Sequence, residues 1–194
     1  LGSGDGKRLL RISKSLKKSE IVALEPSSEM CKIFKKSCKF KLYQLNARQV
    51  SKIKKKFDGI ISLWNVFGHI KNNKEKIIIL KKIYKKLNKN GIFIVDVNNR
   101  HNAKSYGYLK VFIRVIMDAI YFDERRGNTN YSISIGKKKV NASGHLFTKS
   151  EFLKNLKMAG FTEIETFTIN YLNGELSKSS LNGQLVFLVK KSNE

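Results

Sequence analysis

The sequence predicts an α/β fold in which helices cover a mostly parallel β-sheet that ends in an antiparallel hairpin. Three observations predict it. In the first half of the chain, short apolar runs alternate with helical patterns, as in strand–helix–strand units with parallel strands. The alternation breaks after Asn98, where an amphipathic helix and two further strands follow. The last two strands, residues 162–169 and 184–189, have no helix between them, so we expect them to pair as a hairpin.

Hydrophobic periodicity and stop signals place each element along the chain. Asn90 and Gly91 end a helix before a buried strand. Thr148, followed by Glu151 three residues later, is a capping box that starts another helix. In chain order, the patterns predict helices at 7–18, 27–34, 74–87, 108–121 and 149–158, and strands at 21–24, 40–45, 59–64, 92–97, 131–135, 137–146, 162–169 and 184–189.

The length fits one domain. A chain of 194 residues and 22.3 kDa lies within the range of single domains. We therefore expect one domain over residues 1–194, with residues 98–147 inserted as a helix and a β-hairpin that turns at Gly136. The chain begins at Leu1 without an initiator Met, so we expect the natural sequence to continue upstream.

Charge is the most unusual property of the composition. Lys and Arg number 39 against 15 Asp and Glu, which gives a net charge of +24. Such an excess is typical of proteins that bind nucleic acid or anionic membranes. However, 32 of the cations are Lys and only 7 are Arg, the residue that phosphate recognition favours. A compositional bias toward Lys is therefore the alternative interpretation.

The cysteine content and the hydropathy pattern indicate a compartment. Cys31 and Cys38 are too few for a disulfide scaffold or a four-cysteine zinc site and indicate free thiols under reducing conditions. No apolar run approaches the roughly 20 residues that span a bilayer, and the first residues include no apolar signal segment. The sequence predicts a cytoplasmic protein without a transmembrane segment.

The N-terminal segment is the sharpest local motif. Gly2, Gly4 and Gly6 alternate with other residues, which lets the backbone turn tightly and approach a ligand closely. Glu25 follows Gly6 by 19 residues, at the end of the next predicted strand, where an acid can accept both hydroxyls of a ribose. The dinucleotide motif G-x-G-x-x-G would need a glycine where Lys7 stands, which disfavours NAD.

This glycine pattern resembles the first motif of the class I S-adenosylmethionine-dependent methyltransferases, and the resemblance extends through most of the chain. Its further parts are Glu25 after the second strand, Asn46-Ala47 after the third, residues 63–69 after the fourth, and Ala159-Gly160-Phe161 before the terminal hairpin. The resemblance implies a Rossmann-like sheet. It also implies that the first strand, which precedes the glycine motif in this family, lies upstream of Leu1.

The resemblance implies that S-adenosylmethionine is the cofactor and S-adenosylhomocysteine the product. It places the ribose on Glu25 and the adenine beside Asn46 and Ala47, although the family more often has Asp where Asn46 stands. The residues that it implies for cofactor binding are Gly2, Gly4, Gly6, Glu25, Pro26, Met30, Asn46, Ala47, Leu63 and Trp64.

Three polar residues after the fourth and fifth strands are candidates for catalysis. His69 can accept a proton near neutral pH, or alternatively cap or pack at the start of a helix. Asp96 and Arg100 can line an acceptor pocket, with Arg100 suited to an acidic group, whereas Asp96 can also simply bond local backbone. His69, His101 and His145 lack the spacing of metal ligands, so we expect no metal site.

The acceptor is expected to be a small molecule. The loop that begins Leu63-Trp64 lacks the Asn/Asp-Pro-Pro-aromatic motif of enzymes that methylate exocyclic base nitrogens, and no cysteine near it supports a covalent cytosine-C5 mechanism. In the small-molecule methyltransferases that the chain resembles, an insertion like 98–147 covers the acceptor. We therefore expect methyl transfer to a nitrogen or oxygen of a metabolite, lipid or sugar. The alternatives are an RNA or tRNA methyltransferase, which the charge favours, and a non-catalytic nucleotide-binding domain of the same fold.

Overall fold

The computed structural model describes residues 1–16, 18–135 and 138–192. These residues fall into two units, Leu1–Lys56 and Phe57–Glu194, and each unit has its own β-pairing and its own buried residues. The single domain over residues 1–194 that the sequence suggests stays a prediction.

A parallel pair of strands with its connecting helix forms the centre of the first unit. The elements of this unit are helix α1 (Lys7–Ser13), strand β1 (Val22–Leu24), helix α2 (Ser28–Ser37), strand β2 (Lys41–Tyr43) and a 3₁₀ turn (Ala47–Lys52). Strand β1 pairs in parallel with β2, with Val22 opposite Lys41. The buried centre is apolar: Ala23, Phe34 and Cys38, with Leu9, Leu10, Phe40 and Leu42 packed against it.

Helix α1 ends at Ser13 rather than at the predicted residue 18. The hydroxyl of Ser13 donates to the carbonyl of Leu10 at 2.9 Å, which is a local alternative to helical hydrogen bonding. The N–H groups of Ser15 and Leu16 then donate to carbonyls three residues back. These bonds form tight turns, so the α-helix stops although the apolar pattern continues to Leu16.

The second unit holds the larger sheet and most of the helices. Its elements are β3 (Phe57–Ser62), a 3₁₀ turn (Val66–His69), α3 (Asn73–Lys86), β4 (Leu87–Val97), α4 (Ala103–Tyr106), α5 (Tyr108–Ile120), a second 3₁₀ turn (Glu124–Gly127), β5 (Asn128–Ile135), β6 (Lys138–His145), α6 (Lys149–Met158), β7 (Phe161–Ile169), β8 (Leu176–Ser177) and β9 (Gln184–Lys191).

The five-stranded sheet has the order β3-β4-β9-β7-β8. Strands β3 and β4 are parallel, whereas β9 lies between β4 and β7 and is antiparallel to both. The C-terminal antiparallel hairpin is therefore present as predicted. Val97 lies opposite Leu185, and Ile169 opposite Gln184. The ends of β4 and β7 and the start of β9 thus share one edge of the sheet.

Interlocked aromatic rings form much of the core of the second unit. Phe152 on α6 is fully buried and contacts the rings of Phe67, Phe147 and Phe187 at centroid distances of 5.6, 5.0 and 5.2 Å. Thr148 caps α6, since its hydroxyl accepts from Glu151 N at 3.1 Å, and the predicted capping box is present. The cap fixes where α6 begins and so where Phe152 enters the core.

The predicted insertion after β4 consists of helices and a β-hairpin. Strands β5 and β6 pair antiparallel, with Asn128 opposite His145; the predicted turn at Gly136 lies outside the described residues. The ring of His145 joins the base of the hairpin to α6, because its Nδ1 lies 2.8 Å from Asn128 Oδ1 and its Nε2 lies 2.7 Å from Glu151 Oε1. Among the described residues, none of the helices has the length and apolar character required to cross a membrane.

A substitution at Gly6 tests how tightly the first unit is packed. Its φ of 83° is left-handed, and an added Cβ would lie 2.4 Å from Cys38 Sγ and 2.7 Å from Phe34 Cδ2. We expect Gly6→Ala to lower the free energy of unfolding by about 1–2 kcal/mol for the left-handed backbone and a further ~1–3 kcal/mol for overpacking. Gly174→Ala is the control, because Gly174 has a φ of 75° and open space around it. Equal losses for both variants in urea denaturation would contradict the packing argument.

Candidate active site

The glycine-rich segment forms a loop of left-handed residues. Gly2, Gly4 and Gly6 have φ of 67°, 56° and 83°, values that L-residues with a side chain rarely adopt. A Cβ placed on Gly4 would meet no atom of the described residues within 4 Å, its chain neighbours aside. The loop therefore presents bare backbone beside open space at Gly4, as close approach to a ligand requires.

Glu25 ties this loop to the end of β1. Its carboxylate is buried, and its Oε2 accepts from Gly4 N at 2.8 Å while its Oε1 accepts from Ser27 N at 3.0 Å. Each carboxylate oxygen can accept two hydrogen bonds. The Glu25 carboxylate therefore has acceptor capacity left for two donors such as the hydroxyls of a ribose.

The side-chain oxygen of Asn46 accepts no hydrogen bond from the described residues. The backbone N–H of Asn46 donates to Gln49 Oε1 at 3.1 Å, and Gln49 N donates to the backbone carbonyl of Asn46 rather than to its side chain. Its own Oδ1 is buried, yet no donor in the described part of the chain reaches hydrogen-bonding geometry with it. An unsatisfied amide oxygen suits an amino group such as adenine N6. The other predicted contacts in this unit, Pro26, Met30 and Ala47, are all at least partly exposed.

The segment after β3 is strained. The sequence predicts a strand to Trp64, but β3 ends at Ser62, and Trp64 and Asn65 are both left-handed, with φ of 68° and 54°. Two hydrogen bonds hold this conformation: Asn65 N donates to Asp96 Oδ1 at 2.8 Å, and Asn98 N donates to Asn65 Oδ1 at 3.0 Å. Strained residues of this kind concentrate at functional sites.

Asp96 and Tyr171 meet beside Trp64. The Asp96 carboxylate is buried at the end of β4, and its Oδ2 accepts from the Tyr171 hydroxyl. The ring of Tyr171 stacks on the indole of Trp64 with centroids 4.9 Å apart and an interplanar angle of 18°. A carboxylate, a phenol and an indole are thus brought together at the edge of the sheet.

A cavity of about 390 Å³ opens at this place. Most of its wall is apolar, and Asp96 and Tyr171 supply polar groups. It is lined by Leu63, Trp64, Asp96, Phe167, Ile169, Asn170, Tyr171, Gly174, Leu176 and Val186. Leu63 and Trp64, predicted from the sequence as cofactor contacts, both line this cavity of the second unit.

His69 and Arg100, the other predicted catalytic residues, are absent from the cavity wall. His69 is exposed at the end of the first 3₁₀ turn of the second unit. Arg100 is buried, and its Nη2 lies 2.9 Å from Asp118 Oδ1 on α5. Burial lowers the pKa of this guanidinium, and Asp118 opposes the shift. Asp118 is therefore the acidic partner of Arg100, whereas the sequence suggests an acidic group on the acceptor as that partner.

Sequence reasoning missed Tyr171 and the role of Asp118. Tyr171 lies in a loop rich in Asn, Gly and Ser, and the available signal was an aromatic residue two positions after the end of a strand. Asp118 also binds His101, with Oδ2 2.9 Å from Nε2. Its four-residue spacing from Arg114 marks a polar face of α5, but the spacing alone does not reveal whether that face points inward.

The N-terminal part of the chain matches a known family model. Residues 1–91 match the family model described as a methyltransferase domain. An uncharacterized protein of Methanocaldococcus jannaschii is 28% identical over 180 residues, which cover 92% of this chain and 66% of that protein. The chain therefore spans slightly less than two thirds of this curated relative.

Two solved structures are similar over nearly the whole chain. An S-adenosylmethionine-dependent methyltransferase from Methanosarcina mazei has a TM-score of 0.69 and 16% identity, covering 100% of this chain and 91% of that chain. An amino pentose methyltransferase of calicheamicin biosynthesis from Micromonospora echinaspora, solved with S-adenosylmethionine bound, has a TM-score of 0.64 and 13% identity, covering 98% and 81%. At these identities the likeness shows a shared fold.

Residues 1–91, just under half of the chain, match a methyltransferase domain, and the fold is shared with solved S-adenosylmethionine-dependent methyltransferases. The predicted Rossmann-like fold class is confirmed, and the methyltransferase match over residues 1–91 supports the predicted family. The individual residues assigned to the cofactor and to catalysis remain predictions.

The ion pair of Arg100 and Asp118 should dominate the attachment of α5. Both side chains are at least 94% buried, at 4% and 6% exposed, so removing one leaves an uncompensated charge. We expect Asp118→Ala to lower the free energy of unfolding by about 3–5 kcal/mol. Glu175→Ala, which removes an exposed pair with Lys104, should leave the melting temperature almost unchanged. Equal melting temperatures for the two variants would show that the buried pair is not stabilising.

Proposed function

We propose that the protein transfers a methyl group from S-adenosylmethionine to a nitrogen or oxygen of a small-molecule acceptor. The observation that carries this proposal is the left-handed glycine loop bound through Gly4 N to the buried Glu25 carboxylate, in a chain whose first 91 residues match a methyltransferase domain.

The first unit fits the adenosyl part of the cofactor. Glu25 has acceptor capacity for the two ribose hydroxyls, and the open backbone at Gly4 allows close approach. The unsatisfied Oδ1 of Asn46 is suited to the adenine amino group, with the exposed Met30 as an apolar surface for a ring. When bound, the cofactor supplies a methyl group on a sulfonium that is already activated for in-line displacement.

The cavity in the second unit fits a small acceptor. Its volume of about 390 Å³ lies within the range of ~300–1,000 Å³ typical of small-molecule sites. The Trp64 and Tyr171 rings offer flat surfaces, and the Asp96 carboxylate favours a partner that donates a hydrogen bond. An amine or hydroxyl on a ring compound has these properties. The Micromonospora echinaspora protein, an amino pentose methyltransferase, is consistent with this acceptor class.

Asp96 is the residue that we assign to catalysis. An amine or hydroxyl that donates to Asp96 has its lone pair directed away from the carboxylate and is held in one orientation, which is the main source of acceleration for a displacement. The carboxylate then accepts the proton that the acceptor loses. Asn65 N and the Tyr171 hydroxyl hold the carboxylate in place, so Tyr171 acts as a positioning residue.

Cofactor binding tests the role of Glu25. We expect Glu25→Gln to weaken binding of S-adenosylhomocysteine at least tenfold, or by about 1.4 kcal/mol, because a neutral amide accepts hydroxyl hydrogen bonds less strongly and cannot satisfy Gly4 and Ser27 together. Isothermal titration calorimetry gives the affinity. Glu29→Gln is the control, since Glu29 is an exposed carboxylate four residues along the chain, in the first turn of α2. Unchanged affinity in a Glu25→Gln protein with wild-type melting temperature would overturn the assignment.

Turnover tests Asp96 and Tyr171. With the best substrate from a panel of amino sugars, small amines and phenols, followed as S-adenosylhomocysteine release, we expect Asp96→Asn to lower kcat about 10²-fold. Tyr171→Phe keeps the ring on Trp64 and should have a smaller effect. Asp58→Asn changes an exposed carboxylate on β3 and should leave kcat unchanged. Wild-type turnover in Asp96→Asn would contradict the mechanism. Acceptor binding is measured separately through the fluorescence of Trp64, the single tryptophan.

A further inference from the structure

Helix α5 has its polar face turned inward and its apolar face turned outward. Val111 is its buried apolar residue, and the side chains of Arg114 and Asp118 face the protein beside it. Large apolar side chains cover the opposite face and the short segment after it, each between 37% and 80% exposed: Tyr108, Leu109, Phe112, Ile113, Val115, Ile116, Met117, Ile120, Tyr121 and Phe122. A surface helix of a globular protein ordinarily has the reverse arrangement.

The inward charges fix this orientation. Asp118 pairs with Arg100 and His101. The Nη1 of Arg114 donates to the carbonyl of Arg100 at 3.1 Å, and its guanidinium lies 4.9 Å from the centre of the Tyr106 ring. Rotating α5 to bury its apolar face would break these contacts and expose the Arg100 charge pair. The outward apolar surface is therefore a consequence of specific contacts.

The form of this surface fits the interfacial zone of a bilayer. Contiguous exposed apolar patches of this kind mark interaction sites. Helix α5 has 13 residues, fewer than the roughly 20 that span a membrane, and an amphipathic helix of this length can lie in the plane of the interface. Tyr108 at the start of α5 and Tyr121 after its end are exposed, and Tyr is enriched at membrane–water interfaces.

Charge distinguishes between the two simplest binding partners of this surface, a second copy of the chain and a membrane. The chain has a net charge of +24, so two copies repel each other, whereas an anionic bilayer attracts a basic protein. Cations lie in and after this segment: Lys110 is exposed on α5, and Arg125, which pairs with Asp123, follows with its side chain 80% exposed. We propose that α5 docks on the surface of an anionic phospholipid membrane, with its apolar face inserted at the level of the headgroups.

Vesicle co-sedimentation of the full-length protein tests this proposal. The test variant combines Leu109→Ser, Phe112→Ser and Ile116→Ser. The control variant combines Ile78→Ser, Ile164→Ser and Leu172→Ser, three exposed apolar residues outside α5. We expect wild type and control to bind vesicles that contain phosphatidylglycerol, more weakly at high salt, and not to bind pure phosphatidylcholine. The test variant should partition onto the anionic vesicles at least tenfold less.

Three results would overturn the proposal. Wild type that does not sediment with anionic vesicles excludes membrane docking. A test variant that binds as well as wild type shows that lysine charge alone is responsible. A wild-type dimer in light scattering that becomes a monomer in the test variant assigns the face to a second copy of the chain. Hydrogen exchange on the wild type with vesicles gives an answer that needs no variant, because docking should protect residues 108–122 and leave α3 unchanged.

Discussion

The carboxylate of Asp96 joins three segments at one edge of the second unit's sheet. It extends from the end of β4, accepts from the N–H of Asn65 after β3 and accepts from the hydroxyl of Tyr171 after β7. Two consecutive left-handed residues cost roughly 1–2 kcal/mol each, and hydrogen bonds to a charged group return about 1.5–3 kcal/mol each. Removing Asp96 would remove one of the two hydrogen bonds that hold the turn at Trp64 and the acceptor of the Tyr171 hydroxyl, so the cavity wall would lose part of its support.

Two other buried carboxylates also join separate segments of the chain. Glu25 joins the glycine loop to the segment after β1 by accepting two backbone N–H groups, and Asp118 holds α5 through Arg100 and His101. All three carboxylates are buried, although acidic residues number only 15 against 39 cations. Asp118 pairs with a cation, whereas Glu25 and Asp96 accept from backbone N–H groups and from the Tyr171 hydroxyl, so each of these few acids organises several groups.

Structural features that depend on residues close together in the sequence could be predicted, whereas features that depend on residues far apart in the sequence could not. Helix α6 begins at the predicted capping box because Thr148 and Glu151 are neighbours, and Glu25 lies at the end of β1 because the strand before it is a local apolar run. The contact between Tyr171 and Asp96 spans 75 residues and depends on β9 lying between β4 and β7. The partner of Arg100 and the inward face of Arg114 likewise require tertiary packing, so the sequence suggested a pocket residue where the structure has an ion pair.

Tyr171 contributes to the cavity from a loop, whereas Asp96 and Trp64 extend from the sheet edge. The segment between β7 and β9 contains only the two-residue strand β8, and changing the length of such a loop costs little, about 0.6 kcal/mol per doubling. The wall opposite Asp96 can therefore diverge between related proteins while the carboxylate and the strained turn stay constant. Acceptor preference in such a lineage would change by substitution and insertion within this loop, without any rearrangement of the sheet.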